Sequence, residues 1–276
     1  MTAPDGPRRT HSKPYLRPPR VRSMARILLA FALVVPLLAG CADDTTDDAT
    51  VEPPGDPVPA AWEPAWGDPA SAAVRPGASL GGYCTFNFLY TGHGPDGEAA
   101  AFIGTAGHCT EAIGERVEVP GSGEVGTVVY DSDVAPGADA AVDFALVRLD
   151  PAAVGSAHPS MLGHDGPSGA IDAADLAVGD PVGIHGYGVV FGDQEATRDR
   201  SGVLVDWDER LYRIDMPAVN GDSGSPILHL ATGKALGIVS HYGLAAVPPS
   251  TDEGPLVPFI LEELAKAGFD VQVANA

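Results

Sequence analysis

The sequence is short of positive charge. Sixteen Lys and Arg stand against 37 Asp and Glu, a formal net charge of −21 over 276 residues. Nucleic-acid binding needs clustered Lys and Arg to neutralise phosphates, so that class is excluded. Cysteine is scarce: there are three, an odd number. No Cys or His cluster elsewhere accompanies His108 and Cys109, which argues against a metal site. The apolar run at residues 27–40 is 14 residues long, short for a helix that spans a bilayer. No internal repeat is present. What is plentiful is Gly, 34, and Pro, 26, in a chain that is 45% hydrophobic. That mixture points to many short elements joined by turns around a sizeable core.

The few cations are unevenly placed. Seven of the sixteen lie before residue 41: Arg8, Arg9, Lys13, Arg17, Arg20, Arg22 and Arg26. Without residues 1–40 the chain keeps 9 basic and 36 acidic residues, a net charge of −27. The N-terminal piece therefore reads as an address: a basic region, then "ILLAFALVVPLLAG", the size of a signal-peptide apolar core. It closes on Leu38-Ala39-Gly40-Cys41, which resembles the bacterial lipobox. The resemblance implies that residues 1–40 are a lipoprotein signal peptide. It also implies that Cys41 takes a diacylglyceryl group, and that the mature protein is anchored to the cell membrane outside the cytoplasm. Two acyl chains make such anchoring durable. An ordinary secreted signal is the alternative, and Met24 is an alternative start. Residues 41–77 are acidic and rich in Pro and Ala, with no apolar period, and read as a tether in which Trp62 and Trp66 stand out. With Cys41 lipidated, Cys84 and Cys109 remain as a pair that an oxidising compartment would let bond.

From residue 78 to 276 the pattern is that of a folded domain. Short apolar runs broken by Gly, Pro or Asp follow one another: "YCTFNFLY", "AAAFIGTAGHC", "GTVVYDSD", "DFALVRLD", "PVGIHGYGVV", "SGVLVDWD", "LYRIDMP", "SPILHL" and "ALGIVSHYG". Alternation and β-branched residues mark many of them as strands of an all-β barrel or sandwich. Only "PFILEELAKAGF" reads as a helix, with Pro258 in its first turn, Ile260, Leu261, Leu264 and Phe269 on one face and Gly268 at its end.

Three stretches carry chemistry: "TAGHC" at 105–109, "DFALVRL" at 143–149 and "GDSGSP" at 221–226. Together and in this order they resemble the histidine, aspartate and serine boxes of the chymotrypsin-like (trypsin-family) serine proteases, compact bacterial members above all. The likeness covers roughly residues 80–268. It implies a double antiparallel β-barrel with a short C-terminal helix and a Cys84–Cys109 disulfide. It also implies peptide-bond hydrolysis through His108, Asp143 and Ser223. A serine hydroxyl is a poor nucleophile until an adjacent base takes its proton. In that scheme His108 is the base, Asp143 fixes its tautomer, and the N–H groups of Gly221 and Ser223 form the oxyanion hole.

Each residue has competitors. Asp131, Asp133 and Asp139 compete with Asp143, but only Asp143 directly begins an apolar strand pattern. Ser225 competes with Ser223. An α/β-hydrolase would need the order Ser, acid, His, and no histidine follows Asp252. The resemblance puts a substrate pocket at Pro217, Ala218 and Val219 (floor) and Ser240, His241, Tyr242 and Gly243 (wall), with Asn220 beside it. No aspartate stands in that floor, which disfavours Arg or Lys substrates. A small or medium apolar side chain fits, and His241 with Asn220 would suit an acidic one. Asp222 needs a buried partner, with His185, Arg198, Arg200 and Arg213 as candidates. No cofactor and no metal are expected, and a monomer acting on protein or peptide substrates is. A non-catalytic binding module on the same scaffold is the alternative reading.

Overall fold

The computed structural model describes residues 62–139, 141–188, 198–242 and 251–276. The signal and lipidation readings at residues 1–40 and Cys41, and Gly243 of the substrate pocket, lie outside the described residues. No described helix is long and apolar enough to cross a membrane.

Strands dominate. β1 (Ser79–Leu80) and β2 (Cys84–Thr85) form a small antiparallel pair. β3 (Leu89–His93), β4 (Ala99–Thr105), β5 (Arg116–Val119), β6 (Gly123–Asp131) and β7 (Ala145–Leu149) build a first sheet. β8 (Pro181–His185), β9 (Asp199–Trp207), β10 (Leu211–Asp215), β11 (Pro226–His229), β12 (Lys234–Ile238), β13 (His241–Tyr242) and β14 (Thr251–Pro255) build a second. β15 (Asp270–Val273) returns to the first sheet beside β3. Every ladder within the two sheets is antiparallel. The first runs β15-β3-β4-β7-β6-β5 and the second β12-β11-β8-β9-β10-β14-β13. A bridge from Gly237 to Leu256 draws the second sheet back on itself. The all-β antiparallel expectation with a short C-terminal helix is met.

The apolar runs make sense in this frame. Side chains alternate across a strand. In β4, Ala101 and Ile103 join one core with Val128 and Val147. Ala100 and Phe102 join another with Leu146, Leu228 and Ile238. That second core lies between the sheets, so β4 and β7 are buried on both faces. A third core, with Ile184, Leu204, Ile214 and Ile227, fills the second sheet.

Helix α1 is one turn (Pro151–Val154), and α2 spans Val257–Lys266 with Pro258 in its first turn. Ile260 and Leu264 are fully buried in the intersheet core, with Leu261 packed at its edge. This is the face expected from the sequence. Before β1, the stretch ending the predicted tether lies against the first sheet. Val74 is fully buried and Trp66 packs on the same core, while Trp62 is exposed.

Candidate active site

His108 sits on a single 3-10 turn, Gly107–Cys109, that follows β4 directly. Buried β4 fixes the turn, and the turn presents a half-exposed imidazole. Asp143 comes two residues ahead of β7, held between Val142 and Phe144, both fully buried. Its φ is +34°, a left-handed conformation that Asp tolerates better than most residues. The Phe144 N–H bonds Ser132 Oγ at 2.9 Å and locks the bend.

The two side chains meet. His108 Nδ1 lies 2.9 Å from Asp143 Oδ2 and 3.1 Å from Oδ1, and the His108 backbone N–H donates to Oδ1 at 3.0 Å. Ser240 Oγ donates to Oδ2 as well. Burial alone would push the Asp143 carboxyl up, but the hydrogen bonds from His108 and Ser240 outweigh it and hold the group below its usual range. The same Asp143 bond raises His108 above the ordinary imidazole value. The rival acids are placed otherwise. Asp131 is buried against Thr110 Oγ1 at 2.8 Å, Asp139 accepts from Arg210, and Asp133 only lines the cleft.

Ser223 comes from the other sheet, on the loop that enters β11. An open cleft of about 610 Å³ is lined by His108, Asp143, Ser223, Gly221, Asn220, Ser240 and His241, together with Tyr83, Cys84 and Asp133. Ser225 is fully buried, so it cannot meet a substrate. Two glycines shape the loop, Gly221 at φ +100° and Gly224 at φ +84°. A Cβ on Gly224 would come within 2.3 Å of Thr85 O. Thr85 pins the loop from the first half of the molecule. Its hydroxyl donates to Gly221 O at 2.8 Å, and its N–H donates to Ser223 O at 2.9 Å. Among the described residues the N–H groups of Gly221 and Ser223 donate to nothing else.

Asp222 is fully buried, and Arg200 on β9 is its partner, with Nη2 to Oδ1 at 2.5 Å and Nη1 to Oδ2 at 2.6 Å. Arg200 Nη1 also bonds Pro217 O at 3.0 Å. Sequence reasoning had this arginine among four cations with nothing to choose between them.

Pro217 and Ala218 are not among the residues that line the cleft. Ala218 packs on the core of the second sheet. Cys84 and Cys109 are joined as a disulfide beside His108, so this cluster offers no thiolate.

Asp252 on β14 was missed as a site neighbour. It is 1% exposed, its Oδ2 has no partner, and the Ala218 backbone bonds it. Burial first, then the nearby Asp222 charge, push its carboxyl up to about 7. The unfolded chain ionises this group near the ordinary value, so between the two values the folded state binds the extra proton. Stability is then lost as pH rises from about 4 to about 7, and the loss persists above. Asp252→Asn is expected to be more stable than the parent at pH 8 by roughly 2–4 kcal/mol and about equal to it at pH 4. Chemical denaturation at the two pH values measures this, and an equal difference at both would count against it.

No family model and no curated protein matches the chain. Solved structures are similar to it at low identity. One is a glutamic acid-specific serine protease described as using a histidine triad in substrate binding, 20% identical over 73% of this chain and 100% of that one, with a TM-score of 0.48. Thermobifida fusca protease A is 22% identical over 74% and 100%, with a TM-score of 0.49. Nocardiopsis protease is 19% identical over 72% and 98%, with a TM-score of 0.49.

Proposed function

We propose that the chain is a serine endopeptidase whose nucleophile is Ser223, exported and held at the membrane by lipid on Cys41. One observation carries the catalytic part. A buried, ionised Asp143 holds His108 Nδ1 at 2.9 Å on the same cleft as Ser223 and two uncommitted N–H groups. Nδ1 bears the proton toward Asp143, so Nε2 is the basic atom. Ser223 Oγ attacks the substrate carbonyl carbon as Nε2 takes its proton. The carbonyl oxygen becomes an oxyanion facing Gly221 and Ser223 N–H. His108 then returns the proton to the leaving amine, and an acyl-serine remains. Water attacks the ester with the same base, and the acid leaves. Asp143 stays ionised throughout.

The Arg200–Asp222 pair supports a second element of the reading. The loop's buried acid already has a cation from within the chain, so no newly cut N-terminus is needed to pair it. Activity without proteolytic processing follows.

The test treats the full chain with a fluorophosphonate probe. Labelling is expected in the wild type and in Ser225→Ala, and none in Ser223→Ala. A well-folded wild type that takes no label would overturn the assignment and leave a binding module on a protease scaffold.

A further inference from the structure

Asp133 stands in the cleft and takes no part in the chemistry of the triad. It lies on the loop that joins β6 to β7, is exposed, and lines the cleft with His108 and His241. The loop holds it there. Its backbone N–H donates to Asp131 Oδ1 at 2.9 Å, and buried Asp131 is itself tied to Thr110 Oγ1 at 2.8 Å. No described residue donates a hydrogen bond to the Asp133 carboxylate or forms an ion pair with it. Elsewhere the scarce arginines are spent on acids: Arg116 on Asp150, Arg148 on Asp96, Arg210 on Asp139.

The cleft is therefore short of positive charge where a peptide must pass. The charged and titratable groups that face Asp133 are Asp143, Asp131, His108 and His241. Burial and then the two acids push its carboxyl up, against the pull of the two imidazoles. Asp143 is already engaged by His108 and Ser240. Asp133 is the carboxylate left for a ligand.

We propose that Asp133 is a specificity-determining residue: it receives a Lys or Arg side chain of the substrate at the residue just before the one held in the primary pocket, on the acyl side of the scissile bond. The inference rests on the serine-protease reading and deepens it. Geometry sets the position. Asn220, Ser240 and His241, which border the pocket and line the cleft, come from the second sheet and its loops, whereas His108 and Asp133 come from loops of the first. Consecutive side chains of an extended peptide point to opposite sides. When the residue being cut turns into the pocket, the one before it turns toward His108 and Asp133. An ammonium or guanidinium there meets a carboxylate in a partly enclosed cleft, where a charge-assisted hydrogen bond counts for more than on an open surface.

Peptidyl-coumarin libraries test this in the full chain. The last residue before the coumarin is mixed, and the next-to-last is fixed as Lys, Gln or Glu. The wild type is expected to favour Lys over Gln by about 5- to 20-fold in kcat/KM, and less so as salt is raised. Asp133→Asn is expected to lose the preference, and Asp133→Lys to turn it toward Glu. A merely structural residue would not invert selectivity with its charge. No Lys preference in the wild type, or one that survives Asp133→Asn, would overturn the proposal. If no library is cleaved, Lys and Gln peptides are compared as ligands of the full-chain Ser223→Ala by calorimetry, and equal affinity overturns it there. Fluorophosphonate labelling separates the two readings. A labelled chain without charge preference loses this inference alone, and an unlabelled one loses the protease reading.

Discussion

Replacing His108 by alanine is expected to lower kcat/KM for a peptide substrate by about 10⁴- to 10⁶-fold, with the fold intact. The size follows from the chemistry. Without a base, Ser223 keeps its proton and attacks as a neutral alcohol. What remains is binding and the oxyanion donors, which still exceed water by a few powers of ten. His108 is 42% exposed in its side chain, so its removal opens no core cavity and costs little stability. Asp143→Asn is expected to fall by about 10⁴-fold for a different reason: an amide can donate to Nδ1 and hold the wrong tautomer. It also removes the carboxylate that raises His108, so any residual activity has its acid limb at lower pH. The double variant His108→Ala with Ser223→Ala is expected to be no worse than either single change, because the groups act as one unit. Steady-state kinetics with a common substrate measures all of these. A loss below tenfold in His108→Ala would remove the histidine from the mechanism.

The second large effect is expected at Arg200. Arg200→Met strips the buried Asp222 of its guanidinium partner. Breaking a buried pair from one side costs about 3–5 kcal/mol, a large share of the 5–15 kcal/mol typical of a whole domain. The damage should not stop at stability. Asp222 also accepts the Val219 N–H at 2.8 Å, so its carboxylate ties the loop together on both sides of Gly221. Loss of that anchor lets the two N–H donors drift. A drop in kcat of about 10²- to 10³-fold is expected, the scale of a lost oxyanion donor. Arg200→Met combined with Asp222→Asn should recover part of the stability, since no charge is then stranded. Urea denaturation and kcat together check this. Equal stability of Arg200→Met and wild type would show the pair to be dispensable.

Local chemistry was legible in the sequence and long-range chemistry was not. "TAGHC", "DFALVRL" and "GDSGSP" are short stretches whose residue types announce their work, and the structure brings all three to one cleft. Helix α2 was readable because Pro258 and Gly268 bracket a clean apolar period. The strands Arg116–Val119, Thr251–Pro255 and Asp270–Val273 went unread. The first and last are four-residue sheet edges with charged or polar outer faces, and "TDEGP" carries Gly and Pro that argue against a strand. The Ser240 bond to Asp143 spans 97 residues, and nothing near either residue signals it. Asp252 was passed over for the same reason. Its place beneath the 217–222 loop depends on β14 pairing with β13 and β10.

Thr85 and the loop it pins have a consequence for the life of the chain. His108 and Asp143 are 35 residues apart, and they flank β4 and β7 of the first sheet. The contact between Thr85 and Gly221 spans 136 residues, and contacts that distant form slowly because long loops must close first. During synthesis the ribosome releases His108 and Asp143 well before Ser223 exists. A half-made molecule thus holds a proton acceptor with nothing to deprotonate. In the proposed reading the site is complete only when the second sheet docks, and it is lost again when that docking is lost. In that reading, a partly unfolded copy has no assembled site.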